Sequence, residues 1–316
     1  MVIAILETIT EEQKTFLEQK TNSQIILLDR KKINDHIHVI KPDILICRDF
    51  DINFNLLESW GNYLKLVYIL SVGVNRLPFA ELKKYNFKVC KTPGKVSATE
   101  ISEYVMGAIY FLNYNFSAYL KQQELHIWDN SRRTKPLYKK NILIFGIGDI
   151  GTRISDICYK NGMEVVATSR TYHSGQNYSF ISLEEAIDTI GNYDFIISSL
   201  PLTKETYHFF DYEKFVKIKY GAFINISRGS VVNEVDLVNA LNNGYLSGGC
   251  FLDVFEKEPL SNDSNLWDLD NVFVTPHISG RVDKLIGLSL SYFVEVFDCL
   301  NNNLSIPYLV NLDKEY

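Results

Sequence analysis

Positive charge is not in excess anywhere that would matter for a polyanion partner. The 316 residues carry 32 Lys+Arg against 38 Asp+Glu, a net charge of −6 and a pI near 5.6. That balance excludes non-specific, charge-driven nucleic-acid binding, and it means an anionic substrate must be held by local cations and amides. Cysteine is sparse. Cys47, Cys90, Cys158, Cys250 and Cys299 are scattered, with no CxxC and no Cys/His spacing of a metal site. They predict buried thiols in a reducing compartment rather than a disulfide framework, and no bound metal. The opening MVIAILETIT lacks a basic region and meets Glu7 early, which predicts no secretory signal and a cytoplasmic protein. Long uncharged runs are also rare. The exception, Tyr104–Leu120, approaches the length of a spanning helix, but Asn113, Asn115 and Ser117 interrupt it and Glu103 and Lys121 bound it. It predicts a long helix buried on most sides, between domains or against a second subunit, and no membrane span. Solenoid-type repeats and low-complexity tracts are absent as well.

What remains is globular composition, 46% apolar and 22% charged, at a length that suits two domains. Short β-rich apolar runs alternate with helical patterns, the signature of parallel α/β sheets. A first set lies at Val2–Leu6, Gln24–Leu28, Asp43–Cys47, Leu64–Leu70 and Phe87–Lys91. After the first of these comes a helical pattern with Thr8 three residues before Glu11, the spacing of a capping box. A second set lies at Asn141–Phe145, Glu164–Thr168, Asp194–Ser199, Ala222–Ile226, Gly249–Leu252 and Asn271–Val274. Runs such as NILIF and DFIISSL are continuous rather than alternating, so helices should cover both faces of those strands. The domain boundary is expected near residues 97–100. Lys284–Leu300 reads as one apolar helix that could cross back to the first domain.

The stretch NILIFGIGDIG runs a buried strand into Gly146-x-Gly148-x-x-Gly151 and then into a helix pattern through Lys160. Gly146 would make the tight turn, Gly148 would let a pyrophosphate approach the backbone, and Gly151 would let helix and strand pack closely. The helix N-terminus would offer amides and a partial positive charge to the phosphates. Glycine turns are common, but here a strand precedes, a helix follows, and a second strand, EVVAT, arrives at the right distance. That strand ends in Ser169-Arg170-Thr171, without the Asp or Glu that an NAD site usually places there. A guanidinium suits a 2′-phosphate, so NADP(H) is the preferred cofactor. Arg170 as a plain surface residue, with NAD(H) also accepted, is the alternative.

Three further segments follow late strands, where open α/β sheets place their ligands. They are Ser227-Arg228-Gly229, Glu256-Lys257-Glu258-Pro259, and His277. One base, one acid and one fixed cation converging on a cofactor crevice would form a coherent reduction site. Taken singly, Arg228 could be a surface cation, Glu258 a solvated loop acid and His277 a structural histidine.

With these stretches in order, the chain resembles the D-isomer-specific 2-hydroxyacid dehydrogenase family over nearly its whole length. The resemblance rests on SVGVN (71–75), IFGIGDIG (144–151), SLPLTKET (199–206), INISRGSVVNEVDLVNAL (224–241), LDVFEKEPL (252–260) and VTPHISG (274–280). It implies an α/β architecture in which a Rossmann cofactor domain (99–284) is inserted into a flavodoxin-like substrate domain (1–98 plus 285–316). It also implies a homodimer formed largely through the cofactor domains. By motif, it makes Arg228, Glu258 and His277 catalytic. His277, whose type titrates near neutrality, would act as the proton donor. Glu258 would orient the imidazole and favour its charged form. Arg228 would hold the substrate carboxylate and carbonyl. Backbone amides around Val72, Gly73 and Val74 would bind the other carboxylate oxygen. Asp149 and Ile150 would meet the pyrophosphate, Leu200, Pro201 and Ile226 would line the nicotinamide ribose, and Asp253 would bond the carboxamide or simply cap local backbone.

Departures from the family pattern are Tyr104, where His often follows the Glu, and Cys250-Phe251, where small residues are usual. Both are expected to bear on packing more than chemistry. Arg48 resembles a substrate-anion position of phosphoglycerate-handling relatives, but a solvated charge is the favoured reading. The leading expectation is an NADPH-dependent reductase of a small 2-oxo acid, such as glyoxylate or hydroxypyruvate. An NAD-linked 3-phosphoglycerate dehydrogenase and a catalytically idle nucleotide-sensing protein are the alternatives. The residues fix no substrate side chain, since the pocket wall would come from 48–54, 71–78 and a partner subunit.

Overall fold

The computed structural model describes residues 1–281 and 285–316, with only the backbone of Asn34. It divides into two compact units, one of Met1–Val96 with the C-terminal segment through Tyr316, the other Ser97–Arg281.

In the first unit, β1 (Val2–Ile5), β2 (Gln24–Leu27), β3 (Ile44–Cys47), β4 (Leu66–Ile69) and β5 (Lys88–Lys91) form a five-stranded sheet ordered β2-β1-β3-β4-β5. Every pairing is parallel. This is the flavodoxin-like doubly wound order. Strands β3 and β4 are buried at every residue, as continuous apolar runs require when helices cover both faces. The helix Leu285–Asn301 returns to this unit and packs Leu290, Phe293, Val296 and Phe297 onto Ile3, Ile5, Leu66 and Tyr68. The Tyr68 hydroxyl donates to the carbonyl of Ser289 at 3.0 Å. Lys284, where the sequence pattern opened this helix, lies outside the described residues.

The second unit carries β6 (Asn141–Phe145), β7 (Glu164–Thr168), β8 (Ser179–Phe180), β9 (Phe195–Ser198), β10 (Ala222–Asn225), β11 (Cys250–Leu252) and β12 (Val272–Val274). Their order, β12-β11-β10-β9-β6-β7-β8, is the Rossmann order with one added edge strand, again all parallel. The order reverses at β6, which has β7 on one side and β9 on the other. β8, two residues long, was too short to leave a sequence signal.

Two expectations need correction. The first helix, Glu11–Thr21, is capped by Thr10 with Gln13, not by Thr8 with Glu11. Starting two residues later leaves Ile9, just before the cap, packed against the core. The uncharged run is two helices, Ala98–Asn113 and Phe116–Glu124, broken where Asn115 takes the left-handed region at φ 53°. Asn tolerates that conformation better than most side chains. Within the single chain one face of this run is buried. Ile101, Val105, Met106 and Ile109 enter the core, whereas Tyr110, Tyr114, Phe116 and Leu120 are exposed and the second helix buries nothing.

Cys47, Cys90, Cys158 and Cys250 are free and buried, and Cys299 is half-buried. Burial pushes the Cys90, Cys158 and Cys250 thiols up to about 12, so these three stay protonated and unreactive at neutral pH. Among the described residues no helix is long and apolar enough to cross a membrane. Nor does any group of His, Cys, Asp and Glu among them suit a metal ion.

Candidate active site

The carboxyl end of β6 turns at Gly146, whose φ of +96° few side chains adopt. Its amide donates to the carbonyl of Thr168 at 2.9 Å, tying the turn to β7. On the other side Ser199 Oγ donates to the carbonyl of Gly146 at 2.6 Å, tying it to the loop after β9. A Cβ at Gly151 would lie 2.0 Å from the carbonyl oxygen of Gly146, so the helix Asp149–Lys160 sits against the turn only because residue 151 is glycine. A Cβ at Gly148 would meet nothing within 4 Å. Gly148 is also the N-cap, and it brings no side-chain acceptor to the first-turn amides, including those of Asp149 and Ile150. An open approach to first-turn amides at the switch point of a doubly wound sheet fits a dinucleotide pyrophosphate.

Ser169, Arg170 and Thr171 follow β7. Ser169 Oγ donates to the carbonyl of Thr171 at 2.6 Å, and Arg170 Nη1 lies 3.3 Å from Glu205 Oε2. Leu200 and Pro201 follow β9. Ile226 follows β10, is buried, and donates its amide to the carbonyl of Ser198 at 3.2 Å.

Arg228 leaves β10 in extended conformation and its Nη1 donates to the carbonyl of Ser227 at 2.7 Å. Its turn is set by Ser227 together with Asn225 and Ser198, two residues to which the sequence pattern gave no role. Asn225 Oδ1 accepts from the Ser227 hydroxyl at 2.6 Å and from the Ser227 amide at 3.1 Å, Asn225 Nδ2 donates to the carbonyl of Arg228 at 3.3 Å, and the Ser198 and Ser227 hydroxyls lie 3.0 Å apart. Ser and Asn closing otherwise apolar strands were the available signal. The next residue, Gly229, would drive a Cβ to within 1.7 Å of the Phe255 backbone carbon. The segment carrying Arg228 therefore lies directly on the loop that carries Glu258.

His277 Nδ1 and Glu258 Oε2 are 2.8 Å apart, so the structure joins these two candidates directly. Glu258 Oε1 also accepts from the Phe255 amide at 3.2 Å. His277 adopts φ 52° and donates its amide to the carbonyl of Asp253 at 2.8 Å. Asp253 is fully buried. Its Oδ1 accepts from Thr275 Oγ1 at 2.7 Å and from the Ile278 amide at 2.8 Å, and its Oδ2 accepts from the Ser279 amide at 2.9 Å. The carboxylate thus braces the turn that presents His277. Tyr104 is more than packing. Its ring meets Phe251 edge-on, and its hydroxyl bonds Thr275 Oγ1 and reaches Asp253 Oδ1 at 3.3 Å. Burial raises the pKa of that phenol, so it stays a neutral donor.

Val72, Gly73 and Val74 belong to the other unit, in the loop after β4, where Ser71 Oγ donates to the carbonyl of Gly73 at 2.8 Å. Arg48 there is not the solvated charge expected. Its Nε meets Glu7 Oε2 at 2.6 Å and its Nη1 donates to the carbonyl of Leu70 at 2.9 Å, both half-buried. Strands β1 and β3 are neighbours, so Glu7 and Arg48, just past their carboxyl ends, are brought together.

A doubly wound sheet with a glycine turn at its reversal point, and an imidazole–carboxylate pair at neighbouring strand ends, is the layout of a dinucleotide-dependent oxidoreductase. Comparison with known proteins narrows the class. The family model described as "D-isomer specific 2-hydroxyacid dehydrogenase, NAD binding domain" matches residues 106–279. A probable 2-ketogluconate reductase from Dictyostelium discoideum is 34% identical over 277 residues, 85% of this chain and 80% of that one. Glyoxylate/hydroxypyruvate reductase B from Serratia proteamaculans is 31% identical over 228 residues, 70% of each chain. A crystal structure of a D-isomer specific 2-hydroxyacid dehydrogenase family protein from Aeromonas salmonicida superposes with a TM-score of 0.86 at 26% identity, covering 99% of both chains. The chain belongs to the D-isomer specific 2-hydroxyacid dehydrogenase family of NAD(P)-dependent oxidoreductases.

Proposed function

We propose that this enzyme reduces a small 2-oxo acid, glyoxylate or hydroxypyruvate being the first candidates, to the D-2-hydroxy acid with NADP(H) preferred over NAD(H). The observation that carries the chemistry is the 2.8 Å bond between His277 Nδ1 and Glu258. It fixes the ring with Nδ1 toward the carboxylate and leaves Nε2 as the atom that gives its proton to the substrate's carbonyl oxygen. Glu258 orients the ring and balances the charge of the imidazolium. Arg228 pairs with the substrate carboxylate and stabilises the oxyanion that develops beside it. The amides of Val72, Gly73 and Val74 take the second carboxylate oxygen, and the unit built from both chain ends is the substrate domain.

Gly146, Gly148, Asp149, Ile150 and Gly151 would hold the pyrophosphate, and Leu200, Pro201 and Ile226 the nicotinamide ribose; Asp253, fully buried with its oxygens bonded to Thr275, Ile278 and Ser279, fits the alternative role of capping local backbone. Arg170, with Ser169 and Thr171, would receive the 2′-phosphate. When bound, the nicotinamide supplies the hydride to the carbonyl carbon. The names of the relatives, a 2-ketogluconate reductase and a glyoxylate/hydroxypyruvate reductase, support reduction of a 2-oxo acid.

The test is oxidation of NADPH and of NADH by purified protein against glyoxylate, hydroxypyruvate, pyruvate and 2-ketogluconate. Turnover of at least one acid with NADPH is expected. Tight cofactor binding without turnover of any would replace this reading by that of a nucleotide-sensing protein. We also propose a homodimer covering Tyr110, Tyr114, Phe116, Leu120 and Trp128, which are exposed on adjoining segments of one unit. Sedimentation at a single-chain mass would overturn that. The buried free thiols support a reducing, cytoplasmic setting.

A further inference from the structure

Arg170 is held by a carboxylate. Its Nη1 lies 3.3 Å from Glu205 Oε2, and the same oxygen accepts from Thr203 Oγ1 at 3.1 Å. Both side chains are largely exposed, so the pair contributes little to the fold. Its place is unusual. Arg170 follows β7 and Glu205 follows β9, the two strands that flank β6, so the pair spans the carboxyl end of β6 beside the Gly146 turn. The loop bearing Glu205 is pinned there. Ser199 Oγ holds the carbonyl of Gly146 at 2.6 Å, and Thr206 Oγ1 donates to the carbonyl of Pro201 at 2.6 Å and accepts from the Thr203 amide at 2.8 Å.

We infer that Glu205 is a specificity-determining residue that sets the ratio of NADP(H) to NAD(H) use by competing with the 2′-phosphate for Arg170. The inference rests on the reading of Arg170 as the 2′-phosphate residue. A guanidinium binds phosphate best through a bidentate edge. Glu205 occupies part of that donor set and sets a negative charge where a phosphate carrying nearly two more must come. A 2′-hydroxyl meets no such opposition, since it is neutral and can itself donate to the Glu205 carboxylate. One acid facing one base across the crevice therefore moderates a preference that Arg170 alone would make strong.

The test is equilibrium titration of nicotinamide fluorescence with NADPH and with NADH, on the full chain at fixed low salt, for the wild type, Glu205→Gln, Arg170→Ala and the double variant. Glu205→Gln should tighten NADPH about three- to fivefold, the scale of an exposed ion pair, and leave NADH unchanged or weaker. In the Arg170→Ala background the same substitution should do nothing, because the competition is gone. Arg170→Ala alone should weaken NADPH and spare NADH. If it weakens both equally or neither, the 2′-phosphate reading of Arg170 fails and the inference with it. If Arg170→Ala selectively weakens NADPH while Glu205→Gln leaves the NADPH:NADH ratio as it was, the reading stands and the role of Glu205 is overturned. A Glu205→Gln effect that persists in full without Arg170 also overturns the competition. Neither side chain is buried, and an unchanged Tm for each variant checks that folding is not the cause.

Discussion

Two histidine–glutamate pairs draw their carboxylates from the same loop, and they differ in how the ring nitrogens are placed. His277 meets Glu258 and His208 meets Glu256, two residues apart, and both histidines have positive φ, 52° and 50°. His277 uses Nδ1, the nitrogen nearer its backbone, which leaves the far nitrogen to face outward. His208 turns its far nitrogen inward, where Nε2 is buried, 3.2 Å from Glu256 yet outside hydrogen-bond geometry, while the ring stacks on Tyr207 at 4.0 Å. The carboxylates differ likewise. Glu256 Oε1 accepts from the Glu234 amide at 2.9 Å, and Glu234 Oε1 accepts in return from the Glu256 amide at 2.6 Å. That reciprocal clamp belongs to the architecture of the loop. Glu258 takes one amide and the imidazole. Proximity of acid and base is common to both pairs. The orientation of the ring nitrogens separates the proposed proton donor from a brace.

The comparison breaks most visibly on the histidines. His277→Ala should lower kcat by about two to four orders of magnitude, the range of a lost general acid, with Tm nearly unchanged. His208→Ala should leave kcat within about threefold, because its far nitrogen reaches no substrate and only the loss of packing is felt. Equal losses in the two variants, read from kcat and thermal melts together, would remove the distinction. Glu258→Gln comes next. The amide still accepts from Phe255, but it no longer balances an imidazolium, and kcat should fall about tenfold to a hundredfold with little change in KM.

Much of this was legible before any coordinates. The glycine turn was, because stereochemistry leaves no alternative at Gly146 and Gly151 once a strand and a helix flank them. The alternation of apolar runs and helical patterns gave parallel α/β sheets and no more; the Rossmann and flavodoxin-like architectures came only as what the family resemblance implies. Contacts across long stretches of sequence were less so. Glu7 and Arg48 pair across 41 residues, and nothing local to Arg48 shows that β1 is its neighbour. Tyr104 lies 149 residues from Asp253, and its hydroxyl reads as mere bulk until the helix Ala98–Asn113 sets it against β11 and Thr275. The break at Asn115 was missed for another reason. Composition over 104–120 registers apolarity, whereas a single residue in left-handed conformation decides where one helix becomes two.

The clamp sharpens the comparison from the other side. Glu256→Ala removes the acceptor of the Glu234 amide at the start of the helix Glu234–Asn242 and frees the loop beneath Glu258. It should lower stability by about 1–2 kcal/mol, measured by denaturant unfolding, and reduce kcat less than Glu258→Gln does. The smallest effect is expected at Glu234. Burial raises the pKa of its carboxyl above the ordinary 4.5, and the charges of Glu256 and Glu258 raise it further. A raised carboxyl binds its proton more tightly in the folded chain than in the unfolded one. Its contribution is therefore fully present below pH 4.5 and is lost as pH rises through the folded value. Glu234→Gln keeps an oxygen for the Glu256 amide but cannot ionise. Its Tm should match or slightly exceed that of the wild type at neutral pH, and the difference should move in the wild type's favour as the pH is lowered through the raised folded value toward 4.5, with no further change below it. A difference that does not vary with pH would show that the clamp works through its hydrogen bonds alone, with no part played by the crowding of three carboxylates on one loop and helix start.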